Sequence, residues 1–284
     1  MEPITEPTAA TIRALIEPFL RDDIGRGDIT SSSVIPAEQI GRARIEARQE
    51  ALIAGVAAAR SCFDIVGEGR IETEIVSGDG EKVRAGDVVL RASGPLREIL
   101  VAERTALNVL ARISGVASLT ARYVATIEGT PAKLVDTRKT TPGLRLLEKY
   151  AVRVAGGHNH RFGLDDGILI KDNHVAAAGS IGEAVARARA EAHHGLKVEV
   201  EVPDLEGLDE ALAAGADAVL LDNMTPAEVS QAVTRAGGKV TLEASGGITL
   251  ENVRDYAETG VDLISVGALT HSAPTVDLSL EVEI

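Results

Sequence analysis

Between Asp136 and His174 the chain gathers cationic and polar side chains into three runs, DTRKTTPG, RVAGGHNHRFG and ILIKDNH. Guanidinium forks grip planar carboxylates with two parallel hydrogen bonds, whereas a lysine acts as a compact point charge. The mixture of Arg138, Lys139, His160, Arg161 and Lys171 therefore suits a small ligand that carries both carboxylate and phosphate groups. Glu201 and Asp222 are a second constellation. A pair of hard oxygen donors, completed by water and a substrate phosphate, is what Mg²⁺ prefers, and ion pairing with the lysines is the other use of the same carboxylates. ASGGITLEN, at 244–252, follows a strand and is expected to open a helix near Thr249, and its small residues Ser245, Gly246 and Gly247 let backbone N–H groups approach a phosphate. A zinc site at His158-Asn159-His160 is not expected: residues two apart on a strand face opposite ways, and no Cys cluster or HExxH pattern accompanies them.

These residues need a scaffold, and the second half of the chain supplies its pattern. KVEVEV at 197–202, DAVLLD at 217–222, KVTLEA at 239–244 and DLISVG at 262–267 are short β-branched runs, the first three each followed by a helical segment that ends in Gly. KLVD at 133–136, VRVA at 152–155 and GILI at 167–170 extend the series upstream. Alternating strands and helices predict parallel pairing, and about seven such units suffice for a closed or nearly closed barrel. In such barrels the strand C-termini share one face. Asp136, Thr137, Arg138, Lys139, His158, His160, Lys171, Glu201, Asp222, Ser245 to Gly247 and Gly267 should then gather around one cavity.

The first hundred residues follow another pattern. RARIEARQEALIAG predicts a strand entering a helix through VAAARSCFDIVGEG, and IETEIVSGDGEKVRAGDVVLRASG a small β unit. A helix from about Leu96 through Ile113 is expected to link the parts, and TVDLSLEVEI has the period of a half-buried antiparallel strand. The fold class expected is α/β, an open (βα) barrel with a smaller, discontinuous N-terminal α/β sandwich domain. Residues 1–112, completed by 270–284, form the latter, and 113–269 the barrel.

Composition removes several classes. Aromatic residues are 2% of the chain and the formal net charge is −14, so nucleic acid is not an expected partner. The acidic N-terminus lacks a signal pattern and no stretch is apolar enough to span a membrane, which points to the cytoplasm. The single cysteine, Cys62, sits in an apolar run and reads as a buried structural thiol.

RGDITSS at 26–32, ERTALN at 103–108, DTRKTTPGLRLLEKYAV at 136–152, GGHNHRFGLDDGILIKDNH at 156–174, EVE at 199–201, LLDN at 220–223 and EASGGI at 243–248 closely resemble the quinolinate phosphoribosyltransferases. The likeness runs over nearly the whole chain. It implies transfer of a phosphoribosyl group from phosphoribosyl pyrophosphate (PRPP) to quinolinate with decarboxylation, using Mg²⁺, in a two-domain subunit that works as a homodimer with a shared active site. Carried over by motif, Arg104, Arg138, His160, Arg161 and Lys171 would bind the quinolinate carboxylates, with Arg104 reaching in from the other subunit. Thr137 would join them in binding substrate. Lys139, Glu201 and Asp222 would act on PRPP, the two acids through Mg²⁺, while Ser245, Gly246, Gly247, Val266, Gly267 and Ala268 would hold phosphate. A sister enzyme of the same fold with another acceptor is the nearest alternative. VSGDGEKVRAGDVVL also resembles biotinyl and lipoyl carrier domains but lacks their modified-lysine context.

Overall fold

The computed structural model describes residues 6–283. The first five residues, part of the acidic N-terminus, and Ile284, the last residue of the expected TVDLSLEVEI strand, lie outside them. The elements run α1 (Ala9–Ile24), α2 (Ile29–Val34), β1 (Ile40–Ala47), β2 (Ala51–Leu52), α3 (Val56–Gly67), β3 (Glu72–Ile75), β4 (Lys82–Val83), β5 (Val88–Pro95) and α4 (Leu96–Thr126). They continue β6 (Lys133–Val135), α5 (Arg145–Val154), β7 (Ile168–Ile170), α6 (Asp172–Ala178), α7 (Ile181–Glu191), β8 (Val198–Val202), α8 (Leu205–Ala214), β9 (Ala218–Asp222) and α9 (Pro226–Ala236). Last come β10 (Thr241–Ser245), α10 (Val253–Ala257), β11 (Leu263–Ser265), α11 (Ala268–His271) and β12 (Leu278–Glu283).

Two compact units result. The first holds residues 1–121, 141–156 and 272–284. Its sheet is antiparallel in the order β12-β1-β5-β3, so the last strand does return to the first. Phe63, Ile16, Ile45, Leu90, Ile99 and Leu110 fill its core, and Cys62 is fully buried among them, its thiol pushed up to about 12 by loss of hydration. A buried carboxylate, Glu148, is fully engaged, accepting from Arg112 Nε and Nη2 at 3.1 and 2.8 Å and from Thr141 N and Oγ1 at 3.0 and 2.8 Å.

The second unit holds residues 122–140 and 157–271. Its parallel sheet runs β6-β11-β10-β9-β8-β7. His158 adds a one-residue parallel rung beside Val135 at the outer side of β6. No described pairing joins that rung to β7, so the barrel stands open there. Turn chemistry fixes the helices between strands: Thr225 and Glu228 form a capping box ahead of Pro226, and Gly215 and Gly237 close α8 and α9 in left-handed backbone.

Three expectations change. VRVA is not a strand but the end of α5, whose Leu147, Ala151 and Val152 are buried on one helical face. The linking helix continues to Thr126. It passes through Gly115, where a Cβ would meet the Pro274 carbonyl oxygen at 2.0 Å, so only a glycine admits that neighbour. The helix expected near Thr249 begins at Val253, after a turn in which Asn252 Oδ1 accepts from Thr249 N at 2.8 Å.

Candidate active site

Strand parity builds the site. Alternate residues of a strand face alternate ways, so in β8 Val198, Val200 and Val202 turn outward to full burial while Glu199 and Glu201 turn inward. The same parity sends Leu220 and Asp222 inward from β9, Glu243 and Ser245 from β10, Ser265 and Gly267 from β11, and Leu169 and Lys171 from β7. The upper members of these pairs end their strands on one face. They line a cavity of about 770 Å³ with Thr137, Arg138, Lys139, His160, Arg161, Gly246, Gly247, Val266 and Ala268.

One wall is cationic. Arg161 Nη1 donates to the Gly167 carbonyl at 2.8 Å, while its buried Nε has no partner. Burial, and then the neighbouring Arg138, press Arg161 below the ordinary guanidinium value. Two guanidinium groups held together in a part-buried wall are compensated best by an anion with more than one charge. Lys171 Nζ is ion-paired with Glu201, and its backbone N–H donates to His174 Nδ1 at 2.9 Å, so His174 fixes the loop that carries it.

The opposite wall offers backbone. Gly246 has φ +92°, and a Cβ on it would come within 2.2 Å of Asn223 Oδ1. Asn223, itself at φ +56°, donates its backbone N–H to the Ser245 carbonyl at 2.8 Å and its Nδ2 to Asp222 Oδ2 at 2.8 Å. This single residue therefore ties the glycine turn to the carboxylate. Two residues past β11, Gly267 leaves room for Lys139, whose carbonyl accepts from Thr270 Oγ1 at 2.8 Å. Since α10 starts only at Val253, backbone around Gly246 and Gly247, rather than a helix end, faces the cavity.

Beneath the cationic wall lies an acidic group. Asp136, fully buried, accepts from Asn159 Nδ2 at 2.6 Å and His160 N at 2.9 Å, so it anchors the segment instead of lining the cavity. His160 Nε2 is 3.1 Å from Glu199 Oε2 and 3.7 Å from Glu243 Oε2. Glu243 is 1% exposed, its Oε1 has no partner, and burial followed by the Glu199 charge pushes its carboxyl up to about 7.

Of the residues expected at the site, all but Arg104, Asp136 and His158 border this cavity. Arg104 lies on α4 in the first unit, its side chain 62% exposed and 3.7 Å from Glu103, and is not among the lining residues. Sequence reading missed Asn223, Glu199 and Glu243. Glu199 and Glu243 share the parity of Glu201 and Ser245, which was the available signal.

With this geometry in hand, comparison with known proteins decides the family. Residues 28–114 match the quinolinate phosphoribosyl transferase N-terminal domain and residues 116–281 the C-terminal domain of the same family. The chain belongs to the quinolinate phosphoribosyltransferase family. A curated relative from Bacillus subtilis, a probable nicotinate-nucleotide pyrophosphorylase (carboxylating), is 45% identical over 95% of this chain and 93% of its own. The nicotinate-nucleotide pyrophosphorylase (carboxylating) of Mycobacterium leprae is 44% identical over 95% of this chain and 96% of its own. The solved structure of the nicotinate-nucleotide pyrophosphorylase from Francisella tularensis superposes with a TM-score of 0.93 at 40% identity, covering all of both chains. The expected barrel with a companion sheet domain is thus the fold of the family. No helix among the described residues is long and apolar enough to cross a membrane.

Proposed function

We propose that this chain joins the ring nitrogen of quinolinate to the phosphoribosyl group of PRPP and expels CO2, giving nicotinate mononucleotide and pyrophosphate for de novo NAD synthesis. The observation that carries this reading is the two-sided cavity, with Arg138, Arg161 and Lys171 on one wall and the Ser245–Gly247 and Val266–Ala268 backbone on the other. A pyridine dicarboxylate fits the first and a phosphorylated ribose the second.

The chemistry asks for alignment and charge compensation. The pyridine nitrogen attacks the anomeric carbon as its bond to pyrophosphate breaks, and the leaving group keeps the electron pair. Positive charge builds on the ribose and negative charge on pyrophosphate, where Lys139 is placed to stabilise it. The glycosylated nitrogen is then cationic. Cleavage of the adjacent C2–carboxylate bond leaves its electron pair on C2 beside that charge, and a proton from Lys139 or water completes the product. No protein nucleophile is required, and holding the two substrates in register supplies much of the acceleration.

Glu201 and Asp222 are hard oxygen donors on adjacent strands facing one cavity, a set that fits Mg²⁺ with the remaining positions left to water and substrate. When bound, the ion would neutralise charge on the pyrophosphate. The enzyme works in the cytoplasm as a homodimer, with Arg104 completing the quinolinate site of the partner subunit. Its wide exposure on a charged helix supports that role, since a buried or fully paired arginine would not serve a neighbour.

The test is formation of nicotinate mononucleotide from quinolinate and PRPP. Turnover of nicotinate but not quinolinate would transfer the assignment to the sister enzyme. For the shared site, Arg104→Ala mixed with Arg138→Ala should regain part of the activity through hybrid dimers, and no regain would place the two residues in one subunit's site.

A further inference from the structure

We propose that His160 works in this pocket as a neutral imidazole locked with its proton on Nε2, and that Glu199 is the positioning residue that locks it, with Glu243 the next acid behind. Neither acid has a part in the reaction as derived above. The functional consequence rests on the proposed reaction, whereas the tautomer itself does not.

The argument starts at the ring's other nitrogen. Arg161 donates its backbone N–H to His160 Nδ1 at 2.7 Å. A nitrogen that accepts a hydrogen bond carries no proton, so the ring's proton must sit on Nε2. That atom faces Glu199 Oε2 at 3.1 Å and Glu243 Oε2 at 3.7 Å. The backbone holds the arrangement from the other end, because the His160 N–H is bound by buried Asp136. A histidine fixed at the backbone, at Nδ1 and at Nε2 has no freedom to turn.

The same three side chains invite a rival reading. Donor atoms of His160, Glu199 and Glu243 all lie within 4.8 Å of one another, as a metal site would require. A metal, however, needs the Nε2 lone pair, which would place the proton on Nδ1 against the incoming Arg161 N–H. The hydrogen bond excludes that tautomer.

It follows that His160 does not count among the charges that hold the quinolinate dianion. Arg138, Arg161 and Lys171 carry that task, and His160 gives the pocket a rigid neutral edge. Losing the lock should loosen quinolinate and leave PRPP alone.

Nitrogen-15 NMR of histidine-labelled protein tests this, with the His160 signal among the six histidines identified by its loss in His160→Gln. At neutral pH the expected spectrum shows His160 with a protonated Nε2 and an unprotonated Nδ1. An imidazolium, or a proton on Nδ1, would overturn the proposal, and the second result would revive the metal reading. Glu199→Leu should scramble the tautomer and raise the quinolinate KM about tenfold, with the PRPP KM within about twofold of wild type. Glu199→Gln, whose amide oxygen still accepts, should restore both tautomer and KM. Unchanged quinolinate KM in Glu199→Leu, or a Gln variant as impaired as the Leu one, would sink the positioning role. A wild-type protein inert toward quinolinate would refute the reaction while leaving the NMR result to stand by itself.

Discussion

Lys139 lies across Gly267: a Cβ on that glycine would come within 3.2 Å of Lys139 Cδ and 3.1 Å of His271 Nε2. The lysine's course over the cavity therefore depends on the absence of one carbon atom just past the neighbouring strand β11. Gly267→Ala should shift the ammonium by a few tenths of an ångström, and misplacement of a reacting group on this scale lowers kcat by about tenfold. Thermal melting should stay near wild type, since the lysine stem can give. An unaltered kcat would show that Lys139 does not need this path.

Gly246 is bound more tightly by its surroundings. With φ +92° and Asn223 atoms at 2.2 to 3.0 Å from any added Cβ, Gly246→Ala is strained in backbone and in contact. The expected cost is about 1–3 kcal/mol, together with a raised KM for PRPP. Calorimetric melting and steady-state kinetics on the same sample would check both, and a stable variant with normal PRPP affinity would contradict the assignment of this turn.

Burial, and then the Arg138 charge, disfavour the charged Arg161 guanidinium, and a doubly charged anion would offset both. Arg161→Lys keeps the charge but loses the planar fork, so quinolinate binding should weaken by about ten- to a hundredfold while PRPP binding holds. Titration calorimetry with each substrate separates the outcomes. Equal losses for the two would mean that Arg161 serves the pocket as a whole.

Glu243 sets a pH dependence whose sign follows from its burial. Its carboxyl is pushed from 4.5 up to about 7. Between those values the native protein keeps a proton that the unfolded chain has released, so stability falls as pH rises through the window and levels off above it. Glu243→Gln removes the titration. Its melting temperature should decline less than that of wild type between about pH 5 and 7. Parallel curves would show that the group titrates alike in both states.

Much of this was legible from residue order. The parallel strands announced themselves because β-branched runs alternate with helices that stop at Gly, and the cationic residues reached one cavity because parallel strands end on one face. VRVA misled because its valines are β-branched, yet Val152 falls one turn after the buried Glu148, on the buried side of α5. The linking helix outran its expected end at Ile113 and passes Gly115, whose close contact with Pro274 only the fold shows. Glu199 and Glu243 escaped notice because a carboxylate on a strand reads first as solvated or paired. Only the register of three strands shows them meeting under His160. Asn223 carried no signal of its own, as a left-handed Asn after a strand is visible only in the backbone.

The gap between the His158 rung and β7 divides the pocket by how it is sewn. Ser245, Gly267, Asp222 and Glu201 sit at or next to strands laced to neighbours on both sides. His160 and Arg161 instead hang in the unlaced seam, tied by Asp136 and by the Gly167 carbonyl. Substitutions along the seam can reshape the half proposed for the acceptor without unpicking a ladder, whereas the half proposed for ribose and phosphate changes only at the expense of the sheet. A barrel left ajar in this way keeps one substrate's berth fixed and leaves the other's open to revision.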